Sequence, residues 1–156
     1  MSKSGLYAHF RSKLDLQLAT VAVAGEIFDL EVLAAGRAAA PGAARVLALS
    51  EAFLSHVERG VFPGGCFFTS ATAELNVRQG PLRDQVARFV AGWMSTIAAA
   101  IGEAQELGEV ARDVEAGQLA FEVNALLMAA NLAYLLLGDD RVLESARRGV
   151  RDRLRA

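Results

Sequence analysis

Cysteine is nearly absent from this 156-residue chain. Cys66 stands alone, which excludes an intramolecular disulfide framework and a thiolate-held cluster, and points to a cytoplasmic chain. Two histidines, His9 and His56, leave little material for a metal site, so neither a metal nor a cofactor is expected. No run alternates apolar and polar residues over a useful length, so strands are not expected. The opening MSKSGLYAHFRSK has no apolar core of signal-peptide length. The longest uncharged apolar stretch, 123–138, falls short of the ~20 residues a membrane span needs. Glu122, Asn124 and Asn131 lie in or beside it, so a buried helix is expected there and no membrane partner.

Catalytic patterns are missing too. Gly64-Gly65 is not followed by Gly-Lys-Ser/Thr, and neither G-x-S-x-G nor H-E-x-x-H occurs. His56 and Cys66 flank a helix break without an evident third partner for nucleophilic catalysis. Cys66 lacks basic neighbours in sequence that would activate it as a thiol sensor. Asp139-Asp140 reads as a helix cap rather than a metal pair. No enzyme is expected.

What is present is 53% hydrophobic and 22% charged sequence, enough for one domain with a sizeable core. Helical periodicity recurs throughout, giving an all-α chain of about seven helices. The expected helices are 2–9, 13–35, 43–58, 66–77, 82–107, one opened by Asp113 and running to Leu137, and one capped by Asp139-Asp140 and ending near Leu154. Ser12-Lys13-Leu14-Asp15 is a capping-box pattern opening the second. Its expected stripe is Leu16, Ala19, Val23, Ile27, Leu30 and Ala34. The third shows Val46, Leu49, Phe53 and Val57 on one face. The fifth shows Leu82, Val86, Phe89, Trp93, Ile97 and Ile101, and the last Leu143, Ala146, Val150 and Leu154.

The sixth helix is apolar nearly all round. One neighbouring helix cannot cover it, which points to a subunit interface. The simplest arrangement is a homodimer in which the last two helices of each chain form a four-helix bundle. Leu126, Ala130, Tyr134, Leu137, Leu143, Ala146 and Val150 are the expected interface residues.

Charge is unevenly spread. Residues 1–13 hold Lys3, Arg11 and Lys13 and no acid, whereas 14–138 hold seven basic and fourteen acidic residues. The chain has no other lysine. A basic head on an acidic body suits contact with a polyanion at one end.

That head carries a dense motif. Ser2-Lys3-Ser4-Gly5-Leu6-Tyr7-Ala8-His9-Phe10-Arg11-Ser12-Lys13-Leu14-Asp15-Leu16 resembles the recognition-helix signature of the TetR (tetracycline-repressor-like) family. The remaining helices resemble that family's architecture in number, order and rough length. The stretch FPGGCFFTSATAELNVRQGPLRDQV (62–86) resembles the C-terminal domain of one subgroup more loosely. A short helix with a polar start can present its first residues to base edges in a major groove. In that reading Lys3 and Ser4, with Ser2 ahead of them, face bases, Tyr7 and His9 face phosphates, and Lys13 adds a cation where backbone N–H groups already favour an anion. Leu14 stands where a polar or acidic residue is common in the family.

The resemblance implies a DNA-binding transcriptional regulator, a repressor, released from operator DNA by a small apolar or amphipathic effector. It divides the chain into 1–36, a partial helix-turn-helix domain plus linking helix, and 37–156, a ligand-binding and dimerisation domain. It also implies a pocket in the body, for which Phe62, Phe67, Phe68, Trp93, Met94, Ile97, Phe121, Asn124 and Met128 are candidates. Asn124, inside an apolar helix, needs a partner. In this family the recognition helix is the third of its domain, yet here it begins at Ser2. The expectation is therefore a chain lacking the first two helices of that domain. The alternative is a dimeric module that binds a small molecule or partner without binding DNA.

Overall fold

The computed structural model describes residues 10–155. The expected recognition helix at 2–9 lies outside them. Among the described residues there is no strand, and the helices form an all-α bundle. A first rod, α1, runs through Lys13–Phe28, a π-helical segment Asp29–Leu33 and Ala34–Ala38. Then follow α2 (Ala43–Glu58), α3 (Phe67–Leu75), α4 (Pro81–Glu106), α5 (Ala116–Leu137) and α6 (Arg141–Arg153).

Local chemistry explains most boundaries. The Ser12 hydroxyl accepts from the Asp15 backbone N–H at 3.0 Å and opens α1. Pro81 sits in the first turn of α4, where its missing N–H costs nothing. Gly138, at φ 62°, closes α5 in the left-handed conformation. The cap of α5 differs from expectation. The Glu115 carboxylate, not Asp113, takes the Gly117 and Gln118 N–H groups at 2.9 and 2.8 Å. Those two bonds hold its carboxyl below the usual range.

The buried face of α1 also differs from expectation. Val21, Ala24, Phe28, Val32 and Gly36 face the core, whereas Val23 and Leu30 are exposed. This rod is apolar on several sides, so spacing alone could not choose among its stripes; the largest side chain, Phe28, turned inward. The π-helical segment was not anticipated. There the Ala34 N–H reaches back to the Asp29 carbonyl. Arg37 spans the same turn, gripping both Asp29 carboxylate oxygens at 2.7 and 2.8 Å, and this hydrogen bonding holds the Asp29 carboxyl below its ordinary value.

Helix α2 lies at the centre, against α1, α4, α5 and α6, with Val46, Leu49, Phe53 and Val57 buried. Its first turn has no side-chain cap of its own. Instead the end of α4 and the loop beyond it supply one. Glu103 accepts from the Gly42 N–H at 3.3 Å, and Glu109 from the Ala43 N–H at 2.8 Å. Arg45 completes the joint, binding Glu103 at 2.6 Å and the Gly36 carbonyl at 3.2 Å. Gly36 is required there, because a Cβ would lie 2.7 Å from Leu49 Cγ.

Four of the residues expected at a subunit interface lie in the protomer's own core. Ala130, Leu143, Ala146 and Val150 are all buried, because α6 turns its apolar stripe onto α2 and α5. Leu126 and Tyr134 are half-buried. Leu137 is exposed, on the outer side of α5 together with Phe121, Leu132, Leu135 and Leu136. By length and composition α5 is also apolar enough to cross a membrane, but its inner side packs along α4 and α6.

Candidate functional site

Phe28 is the hub of an aromatic core between α1, α2, α3 and α4. Its ring lies 5.1 Å from Phe89, 5.3 Å from Trp93, 6.0 Å from His56, 6.2 Å from Phe68 and 6.4 Å from Phe53, all edge-on. Phe68 stacks flat on Phe89 at 3.3 Å. A second chain of rings runs outward, from His56 to Phe62, then Phe67, which returns to Phe68. Edge-to-face pairs add to the area they bury, so this cluster is both dense and directional.

Polar groups punctuate it unevenly. The Trp93 indole N–H donates to Asn124 Oδ1 at 2.9 Å, which supplies the partner Asn124 needs. Thr69 donates to the Met128 sulfur at 3.3 Å. Asn131 Oδ1 accepts from the Cys66 backbone N–H at 3.0 Å, but Asn131 Nδ2 has no partner. Gly65 makes that approach possible. It sits at φ 71°, and a Cβ there would fall 2.6 Å from Leu135 Cδ1. His56 is fully buried and neither ring nitrogen has a partner. Burial pushes its pKa below the ordinary value, Glu31 acting against this and Arg59 with it. Burial likewise pushes the Cys66 thiol up, which suits a packing residue rather than a reactive one.

Beside this core lies a groove of about 250 Å³ between α1, α3 and the start of α4. Its floor is Val21, Phe67, Ala71 and Leu75, and its rim carries Gln17, Thr20, Ser70 and Glu74. Phe67 is the wall between groove and core, since it belongs to both.

Of the residues singled out from sequence for a pocket, Phe62, Phe67, Phe68 and Trp93 meet in the ring cluster, and Asn124 and Met128 border it through the hydrogen bonds above. Ile97 is buried in the same core and Met94 packs partly against it. Phe121 does not join them: it is 60% exposed beside Ala125, Leu126 and Arg153. Sequence reasoning did not name Phe28, Phe53, Phe89, His56 or Asn131 for the site. Phe53 and Phe89 were read as core, and Phe28 falls just outside the stripe chosen for its helix. The polar residue Asn131 inside an apolar helix was a usable signal. Among residues expected to face DNA, Ser2, Lys3, Ser4, Tyr7 and His9 lie outside the described residues. Lys13 is exposed at the first position of α1.

Comparison with known proteins fits this geometry. Residues 42–150 match a family model described as tetracyclin repressor-like, C-terminal domain. A TetR transcriptional regulator from Chloroflexus aurantiacus J-10-fl superposes with TM-score 0.84 at 26% identity, over 92% of this chain and 73% of that one. SCO4454, a TetR-family transcriptional regulator from Streptomyces coelicolor, gives 0.83 at 23% identity, over 99% and 78%. AibR, solved in complex with isovaleryl coenzyme A and operator DNA, gives 0.71 at 20% identity, over 96% and 78%. No curated protein matches the chain in sequence.

Proposed function

The chain belongs to the tetracyclin repressor-like family of transcriptional regulators, and from that premise we propose that it is a homodimeric repressor released from operator DNA by a small molecule bound in its aromatic core. The observation that carries this reading is the position of Phe28. The same rod that begins at Lys13, just after the recognition-like segment, sets the middle of its inward face in the ring cluster. A molecule that enters the cluster presses on rings that contact Phe28, and so acts on α1, which carries Phe28. The groove beside Phe67 supplies a way in. That AibR binds both operator DNA and an acyl-coenzyme A supports the pairing of the two activities in this fold.

Dimerisation rests on the outer side of α5. Phe121, Leu132 and Leu136 are exposed at 60%, 57% and 84%, and with Ala125 and Ala129 they follow helical spacing along one stripe. Exposed apolar stripes of this length mark contact surfaces. The proposed interface keeps α5, as read from sequence, but takes its outward Phe121, Leu132 and Leu136 in place of the buried Ala130, Leu143, Ala146 and Val150. A two-fold partner there presents two recognition segments to half-sites about 34–36 Å apart, so a small swing of α1 weakens binding.

The test is a salt-dependent titration against the duplex flanking the gene, with sedimentation in parallel. The expected outcome is a preference over scrambled duplex, with log affinity falling by about 0.9 per phosphate contact for each tenfold rise in salt. Leu136→Glu is expected to yield monomers and to remove at least tenfold of the affinity. A folded dimer with no preference for its own duplex would end the repressor reading and leave a ligand-binding module.

A further inference from the structure

We propose that the groove between α1, α3 and α4 binds a small lipophilic monocation, a protonated amine on an aryl-alkyl body, with the ammonium held by Glu74 and Ser70 and the ring over the apolar floor. This deepens the effector reading by naming the molecule's chemistry. It rests on that reading for any effect on α1, and not on operator binding.

One face of α3 forms a wall of the groove. Phe67, Ser70, Ala71, Glu74 and Leu75 all line it, spaced so that they share one side of the helix. Phe67, Ala71 and Leu75 repeat every fourth residue and supply an apolar row. Ser70 and Glu74 stand one turn apart and supply a polar row, their Cβ atoms about 5–6 Å from each other. An ammonium making two N–H···O bonds of about 2.8 Å bridges that distance. On the other wall α1 contributes Gln17, Thr20 and Val21, and Leu82 of α4 adds to the apolar floor.

The sign of the charge follows from hydrogen-bond direction. The Ser70 hydroxyl donates to the Gly64 carbonyl at 3.2 Å, and the Thr20 hydroxyl to the Leu16 carbonyl at 2.8 Å. Each hydroxyl has committed its only hydrogen to the backbone, so lone pairs are what it can offer a ligand. Glu74, the one charged residue among the described lining, is an acceptor as well. Its partner Arg78 stands at 3.5 Å, with both side chains more than half exposed, a loose pair that a ligand can share. A cationic donor therefore suits this rim. A carboxylate would set like charge beside Glu74 and meet no cation in the described lining. The acidic excess of 14–138, fourteen acids against seven bases, also draws cations. At about 250 Å³ the groove falls just below the ~300–1,000 Å³ of drug-sized sites, so its occupant is one ring with a short arm.

The full chain is titrated with 3-phenylpropylamine, 3-phenyl-1-propanol and 4-phenylbutyrate, which share a phenylpropyl body and end in an ammonium, a hydroxyl and a carboxylate. Methyl NMR of Ala71 and Leu75 reports affinity and place together. The amine is expected to bind about three- to fivefold more tightly than the alcohol, the scale of a partly exposed ion pair, and the carboxylate more weakly than either. The preference is expected to shrink as salt is raised. Glu74→Gln, at an exposed position, is expected to remove the preference while alcohol affinity stays within about twofold. Ala71→Trp, which fills the groove, is expected to remove amine binding; should that variant fold poorly, the methyl shifts and Glu74→Gln decide. Equal or tighter binding of the alcohol, preference for the carboxylate, a preference that survives Glu74→Gln, or saturation without Ala71 and Leu75 shifts would each overturn the proposal. So would no binding of any probe up to its solubility, the result expected if a second copy or another segment of the chain fills the groove. Operator binding is measured separately. Amine binding that leaves operator affinity unchanged keeps this site and ends the effector role, whereas loss of amine binding leaves the repressor reading standing.

Discussion

The two ends of α2 are built on opposite principles. At its start, where α1 ends and α4 runs out, the named polar groups are paired: Glu103 and Glu109 cap the backbone, Arg45 bridges Glu103 to Gly36, and Gly36 lies hard against Leu49. At its far end the contacts are rings, and the buried His56 goes without a partner. A joint closed by short, charge-assisted bonds and a missing Cβ allows one geometry. A ring cluster beside a groove is held by apolar contacts alone, and a ligand's apolar surface can take the place of some of them. Helix α1 is thus tied by paired polar groups where it meets the start of α2 and held by rings at Phe28, the arrangement the proposed lever needs.

That contrast can be broken most forcefully at the hub. Phe28→Ala leaves a cavity where five rings converge, and an expected loss of about 3–5 kcal/mol of stability follows, read by urea unfolding. If the ring end is the responsive one, the same variant also takes up ethylbenzene more readily, which fluorescence of Trp93 would show. A loss under 1 kcal/mol would mean the cluster is not a packed core at all. The anchored end is tested next. Gly36→Ala forces a methyl group toward Leu49, itself buried. Overpacking of about 1–3 kcal/mol is offset by up to ~1 kcal/mol of helix propensity, so a net loss of about 1–2 kcal/mol is expected. A neutral or stabilising result would show that this end is not rigid.

The smallest effect sharpens the comparison through pH. Burial holds His56 neutral, with a folded pKa below the ordinary 6.5; Glu31 from α1 opposes that shift and Arg59 from the end of α2 adds to it. The unfolded chain then binds a proton more readily than the folded one. Stability attributable to His56 is complete above about pH 6.5 and falls as the pH drops from there toward the depressed folded value. His56→Leu is expected to flatten that slope in melts between pH 5 and about 7. An unchanged slope would place the ring in contact with water.

Much of this was legible in the residues. Ser12, Pro81 and Gly138 mark helix ends through chemistry that acts within a few positions, and the stripes of α2, α4 and α6 were readable because each has one apolar side. The stripe of α1 was not, since Val23 and Leu30 are as apolar as Val21 and Val32 and only packing distinguishes them. Site residues divided the same way. Phe62, Phe67 and Phe68 were candidates because they cluster along the chain, and Trp93 because of its place on the long α4 helix. Phe28 and His56 were missed because their ring partners come from helices distant in sequence. The proposed interface differs from the sequence reading for a related reason: Leu143, Ala146 and Val150 form an apolar side, but sequence does not say whether a helix of the same chain or of another covers it.

The sequence by itself determined an all-helical chain, the places where most helices begin and end, and the family, because these depend on periodicity, caps and motifs that act locally. Only the tertiary structure decided which face of α1 turns inward, that Glu103 and Glu109 cap a helix some sixty residues away, and that the His56 ring is buried without a partner. Those outcomes depend on which surfaces come together across the bundle, and burial acts on side chains only after that choice is made.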